Sequence, residues 1–169
     1  AAGDLIDSDS GLAVAAVDDQ GQLESVNISS QLTSPAQATT SVAIAGQLDF
    51  SDPNPPAIPV SVFDANGVAH GLTLNVNRPG NNNQWSVQVV DENGVDVGAS
   101  QTLIYSNPGG APLVSVIQVD YDPLNTGTPT ALSFNFSATT APVTSPEPFS
   151  FSMTGQNGRA QGVLSQMEY

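Results

Sequence analysis

"HGLTLNVNRPGNNNQWSVQVVDENG", residues 70–94, decides the fold class. Leu72, Leu74 and Val76 alternate with Thr73, Asn75 and Asn77, and Trp85, Val87 and Val89 alternate with Ser86 and Gln88. A period of two sends successive side chains to opposite faces of a sheet, so the stretch predicts two half-buried strands joined by the loop RPGNNN (78–83). Two tetrapeptides flank these runs, DANG (64–67) and DENG (91–94). Each sets Asn-Gly between alternating segments, where a hairpin turn needs positive φ.

The same alternation continues outward. SVIQVDYD (115–122) aligns Ile117, Val119 and Tyr121; ALSFNFS (131–137) aligns Leu132, Phe134 and Phe136; FSFSM (149–153) aligns Phe149, Phe151 and Met153. NPGG (107–110) is loop chemistry. No long segment combines a 3.6-residue period with helix caps. The chain therefore reads as all-β, a sandwich or barrel-like fold. LAVAAV (12–17), LESVNIS (23–29) and AQGVLSQMEY (160–169) read as further strands. Two polar, proline-bearing stretches, SSQLTSPAQATT (29–40) and TTAPVTSPEP (139–148), look like seams. They predict an outer β domain at 41–148 inserted into a second, partly present β domain made of 1–40 and 149–169. No internal repeat is evident.

Composition narrows the function classes. Sixteen carboxylates face only Arg78 and Arg159, a net charge of -14 with no lysine. Neutralising phosphates takes Lys and Arg, so nucleic acid is an unsuitable partner, and an anionic membrane surface equally so. The acidity itself suits solubility, or life in salty water. With no cysteine, disulfides, thiolate metal sites and Cys nucleophiles are excluded. No apolar run approaches the roughly 20 residues of a membrane-spanning helix. The opening AAGDLIDSDSG and the closing LSQMEY read as cut from something longer.

His70 is the only histidine, and Asp64 lies across the predicted turn from it. A general base needs such a partner and a pocket that tunes it, yet an Asp–His contact beside a hairpin also serves to stabilise the turn. Asp4, Asp7 and Asp9 are spaced as oxygen ligands of a weak calcium loop could be, or form a solvated acidic turn. Counted from Asp4, the sixth and twelfth residues are Asp9 and Ala15; counted from Asp7, they are Leu12 and Asp18, not the Gly and Glu of an EF-hand loop. Asp120 and Asp122, at i and i+2, could flank a glycosidic bond or simply face solvent, and with Trp85 the only tryptophan there is no aromatic platform to hold a sugar. NIS (27–29) and NFS (135–137) fit the glycosylation sequon. No phosphate-binding glycine loop, nucleophile elbow or metalloprotease helix is present. The sequence thus predicts no catalytic, cofactor or metal site, and a protein that is not an enzyme.

VSVFDANGVAHGLTLNVNRPGNNNQWSVQVVDENG (60–94) resembles the signature region of the bacterial flagellar hook protein family. The residues that carry the likeness are Phe63, Asp64, Gly67, His70, Gln84 and Trp85. SVAIAGQLDFSDPNP (41–55), with Gly46 and Leu48, is similar to the family's incoming strand. SMTGQNGRAQGVLSQMEY (152–169), with Gln156, Asn157, Gly158, Gly162 and Leu164, is similar to its outgoing segment; Arg159 stands where the family favours an aromatic.

The resemblance implies a structural role. It describes the surface domain, with pieces of the inner β domain, of a subunit in a curved extracellular tube that passes motor torque to the filament. The implied partners are copies of the same subunit, while the isolated fragment is expected to be monomeric. The long terminal segments that pair as coiled coils in that family are not in this sequence, which has no heptad pattern. A different class of reading is an acidic extracellular β-sandwich that binds a surface, a carbohydrate or calcium. A third is a hydrolase using Asp120 or Glu147.

Overall fold

The computed structural model describes residues 4–26, 33–49, 52, 54–80, 83–106, 110–124, 126–141 and 149–163, and no helix occurs among them. The chain divides into two compact units, one of residues 36–160 and one built from 1–35 together with 161–169. The alternating segments form strands where the period of two predicts them, so the all-β reading holds.

The larger unit contains two sheets. One runs β10-β11-β4-β12, from Val116–Tyr121, Thr130–Thr140, Ser41–Gln47 and Ser152–Gln156. The other is the antiparallel series β5-β6-β7-β8-β9, from Ile58–Phe63, Ala69–Asn77, Gln84–Asp91, Gln101–Tyr105 and Pro112–Val114. Within the first sheet β4 and β11 are parallel while the other neighbours are antiparallel. That long-range pairing joins the beginning of the unit to its end.

One apolar cluster fills the unit. Ile44, Phe134, Phe136 and Ile117 come from the first sheet, and Leu72, Leu74, Trp85 and Leu103 from the second. Each of these side chains is essentially fully buried, and such burial favours folding by about 1.5–3 kcal/mol per large aliphatic side chain. Arg78 lies over the Trp85 ring, its guanidinium carbon 5.5 Å from the ring centroid. Tyr105 keeps its polar end satisfied in the interior through a 2.8 Å bond to the Thr139 hydroxyl, which donates to the Phe136 carbonyl at 2.6 Å. Burial pushes the Tyr105 phenol up to about 12, against the opposing pull of the Thr139 bond. The Gln101 side chain of β8 reaches β10, donating to the Gln118 carbonyl and accepting its N–H. A side chain thereby occupies backbone groups that an edge strand would leave open.

Two details differ from the sequence reading. The larger compact unit spans 36–160, where the sequence predicts an outer domain at 41–148, because β12 pairs with β4 and Arg159 pairs with Gln37. The strand expected over 149–153 begins at Ser152 instead. Gly46 has φ of 121°, and a Cβ there would stand 2.7 Å from the Ser150 carbonyl carbon, so the two backbones close up at this point. Phe149, Phe151 and Met153 still contribute to the core.

In the smaller unit, β1 (Ala15–Val17) and β2 (Leu23–Ser25) form an antiparallel hairpin, with Ile6 bridged to Ala13. β3 (Thr33–Ser34) pairs with β13 (Gly162–Val163). None of its described residues is buried. Of the sequence expectations, Leu164, Glu147 and the NIS triplet lie outside the described residues, as does most of the seam at 139–148.

Candidate functional site

Most of the signature residues gather at two places in the larger unit, the turn after β5 and the base where the chain enters and leaves, while Trp85 and Leu48 lie in the core and Gly162 in the smaller unit. At the turn, Asp64 organises its own hairpin. Its Oδ1 accepts the N–H groups of Asn66 at 2.8 Å and Val68 at 2.9 Å, while its backbone N–H donates to the Val68 carbonyl at 2.9 Å. The Gly67 N–H donates back to the Asp64 carbonyl at 3.0 Å, and Gly67 takes φ of 79°. The Asn-Gly pair is therefore not the centre of a two-residue loop. The turn spans Asp-Ala-Asn-Gly, with the glycine as the left-handed residue that closes a three-residue loop.

Asp91 builds the same turn, accepting from Asn93 at 2.9 Å and Val95 at 2.8 Å, with Gly94 at φ 78°. So does Asp18 in the smaller unit, accepting from Gln20 and Gln22, both at 2.8 Å, with Gly21 at φ 77°. The sequence contains this recurrence as DDQG (18–21), DANG and DENG; the signal is an Asp three residues before a Gly, not the Asn-Gly pair alone.

His70 completes the Asp64 turn. Its Nε2 lies 3.2 Å from Asp64 Oδ2, and an ionised carboxylate only accepts, so Nε2 carries the hydrogen. The Tyr121 ring meets the imidazole edge-on, 6.2 Å between centroids. Burial pushes the Asp64 carboxyl up, but the hydrogen bonds from Val68, His70 and Asn66 and the charge of His70 together outweigh it and hold the group below the usual carboxylate range. Tyr121 shifts upward, from burial first and then from the charges of Glu92, Asp91 and Asp64.

Beside this turn is a cavity of about 350 Å³, lined by Phe63, Asp64, Tyr121, Leu124, Thr128 and Leu132 among others. His70 is not part of its wall. Asp64 already has both oxygens engaged. Asp122, also on the wall, accepts from the Thr126 N–H at 3.1 Å and the Gly127 N–H at 2.7 Å. The carboxylates here are thus committed to their own loops. Asp120 is exposed on β10, and Asp122 follows the end of that strand.

The acidic start of the chain behaves similarly: Asp7 is bonded by the Ser10 hydroxyl and the Asp9 N–H, which lower its pKa. Among the described residues, no three His, Cys, Asp or Glu side chains converge into a set that could hold a metal ion.

At the base, Gln37 and Arg159 exchange two backbone hydrogen bonds of 2.9 Å. Asn157 then clamps the start of β4. Its Oδ1 accepts the N–H groups of Thr40 at 2.9 Å and Ser41 at 3.0 Å, and its Nδ2 donates to the Thr40 hydroxyl at 2.7 Å. Thr39, only 3% exposed, holds three segments together. Its hydroxyl donates to Gln156 Oε1 and accepts the Phe63 N–H at 2.8 Å, and its own N–H donates to the Phe63 carbonyl at 2.9 Å. Gly158 lies so close that a Cβ would stand 2.8 Å from Thr39 N.

Gly46, Leu48, Asp64, Gly67, Trp85, Asn157 and Gly158 thus sit at positions where their residue types serve turns, close approaches or the core, while Phe63 is half-buried and meets Thr39 through its backbone. Gly162 pairs with Ser34 in the smaller unit, where a Cβ would make only a 3.4 Å contact with Ser34 Cβ. Sequence reading missed Thr39, which carries no motif of its own. No protein-family model matches the chain, and no curated protein matches it.

Proposed function

We propose that this chain is the surface portion of a bacterial flagellar hook subunit, a structural element of an extracellular curved tube assembled from copies of itself. The observation that carries the reading is the character of the base. The resemblance-bearing residues Gln156, Asn157 and Gly158 fasten the outgoing segment beside the incoming one at Thr39, Thr40 and Ser41. A β unit whose two ends leave side by side can be inserted into another domain without strain on either. The turn residues Asp64, Gly67 and His70 likewise stabilise a hairpin.

The surface suits sliding contacts. Only 11% of residues are charged, and exposed strand positions carry polar residues such as Asn75, Asn77, Gln118 and Asn135. Wet, polar contacts exchange for other wet contacts at small cost, whereas a dry apolar interface holds one spacing. Neighbouring units of net charge -14 also repel at short range, within a Debye length of about 8–10 Å in physiological salt.

The genetic test is to delete the codons for residues 36–160 in the source bacterium. The proposal expects hooks that are absent or altered in curvature, with impaired swimming. Hooks of normal shape and full motility would reject it.

A further inference from the structure

We infer that the smaller unit is a docking surface for a basic amphipathic protein segment, one that presents apolar anchors flanked by Lys or Arg. Val17 and Leu23 face each other across the β1–β2 pair and are 66% and 77% exposed; Ile6 and Leu12 are 55% and 69% exposed. Isolated exposed apolar residues are ordinary, but here they concentrate in a unit that buries none of its described side chains.

Two shallow troughs mark where anchors would seat. One, of about 360 Å³, is formed by Leu5, Ile6 and Val14 with Asp7 and Ser8. The other, of about 340 Å³, is lined by Ala16, Val17, Asp18, Glu24, Ser25 and Val26. Apolar and acidic side chains line both troughs.

Charge selects the occupant. Residues 1–35 and 161–169 contain Asp4, Asp7, Asp9, Asp18, Asp19, Glu24 and Glu168, and no Lys, Arg or His. A second copy docking through the same surface would set like charges against each other. A segment with Lys or Arg beside its apolar anchors satisfies both features and is steered toward the surface by the field. This inference does not depend on the tube reading.

The test uses the whole chain and two fluorescent amphipathic peptides of identical Leu positions, one with Lys and one with Glu at the polar positions. The Lys peptide should bind, more weakly as salt rises, and the Glu peptide should not. Val17→Ser with Leu23→Ser should weaken the Lys peptide by about tenfold or more, about 1.4 kcal/mol per tenfold step. Glu24→Gln should weaken it and flatten the salt dependence. Both positions being exposed, amide hydrogen-exchange protection of the β1–β2 pair should remain that of the wild type. Equal binding by the Ser double variant would show attraction by net charge alone and overturn the proposal. So would self-association of the chain through this surface without capture of the Lys peptide, or no binding at all.

Discussion

Replacing Thr39 by Val keeps the shape and removes only the hydroxyl. In the folded chain that hydroxyl accepts the Phe63 N–H at 2.8 Å and donates to Gln156 Oε1, at a site 3% exposed. The variant leaves a buried N–H and a half-buried amide oxygen without this partner. Each unsatisfied group costs about 1–3 kcal/mol, so the pair is expected to cost about 3 kcal/mol. For a unit of this size the melting temperature should fall by about 10 °C. Trp85 is the only tryptophan and is wholly buried in the same unit, so its emission reports unfolding directly. Thr39→Ser keeps the hydroxyl and should lose about 1 kcal/mol or less, chiefly from the missing methyl. A Thr39→Val melt within about 2 °C of wild type would refute the reasoning. Equal destabilisation by Ser and Val would refute it too, by showing that packing and not the hydrogen bonds matters.

Three further outcomes are expected. Gly46→Ala should destabilise the larger unit by about 3 kcal/mol or more in urea denaturation, because its φ of 121° and the backbone of Ser150 and Phe151 leave no room for a Cβ; a change under about 1 kcal/mol would contradict this. Asp64→Ala should cost about 2–3 kcal/mol, through loss of the acceptor for Asn66, Val68 and His70, while His70→Asn should cost about 1 kcal/mol or less and leave motility intact; loss of assembly on His70→Asn would show a role beyond the turn. Asp64, Asp91 and Asp122 are all held below the ordinary carboxylate value of 3.8, so their stabilisation is present above that pH and is lost as pH falls through the lowered folded values. The melting-temperature gap between wild type and an Asp64→Asn, Asp91→Asn, Asp122→Asn variant should accordingly close between about pH 5 and pH 2, and a gap constant over that range would contradict the assignment.

Local physics made much of this molecule legible from its sequence. From Leu72 to Asn77 in β6 and from Trp85 to Val89 in β7 apolar and polar residues alternate, and the apolar ones are buried: Leu72, Leu74 and Val76, then Trp85, Val87 and Val89. Alternation identifies such strands without knowledge of their neighbours. It carries no information on which strand lies beside which, and the parallel β4–β11 pair, far apart in the chain, could not be read from it. The displaced start of β12 has a similar cause, since it depends on a close backbone approach at Gly46 from a distant segment.

The His70–Asp64 contact was readable because six residues and a turn separate the two. Thr39 was not readable, because its partners Phe63 and Gln156 lie 24 and 117 residues away. Asp18 was readable in principle, through its spacing to Gly21. The apolar surface of the smaller unit looked in sequence like ordinary strands, and only its exposure distinguishes it from a core.

The hook assignment is the central claim, and location tests it most directly. Antibody raised against this chain, followed by immunogold electron microscopy of the source cells, should place gold on the short curved segment between cell body and filament. Gold spread over the general cell surface, or found only in the medium, would contradict the account.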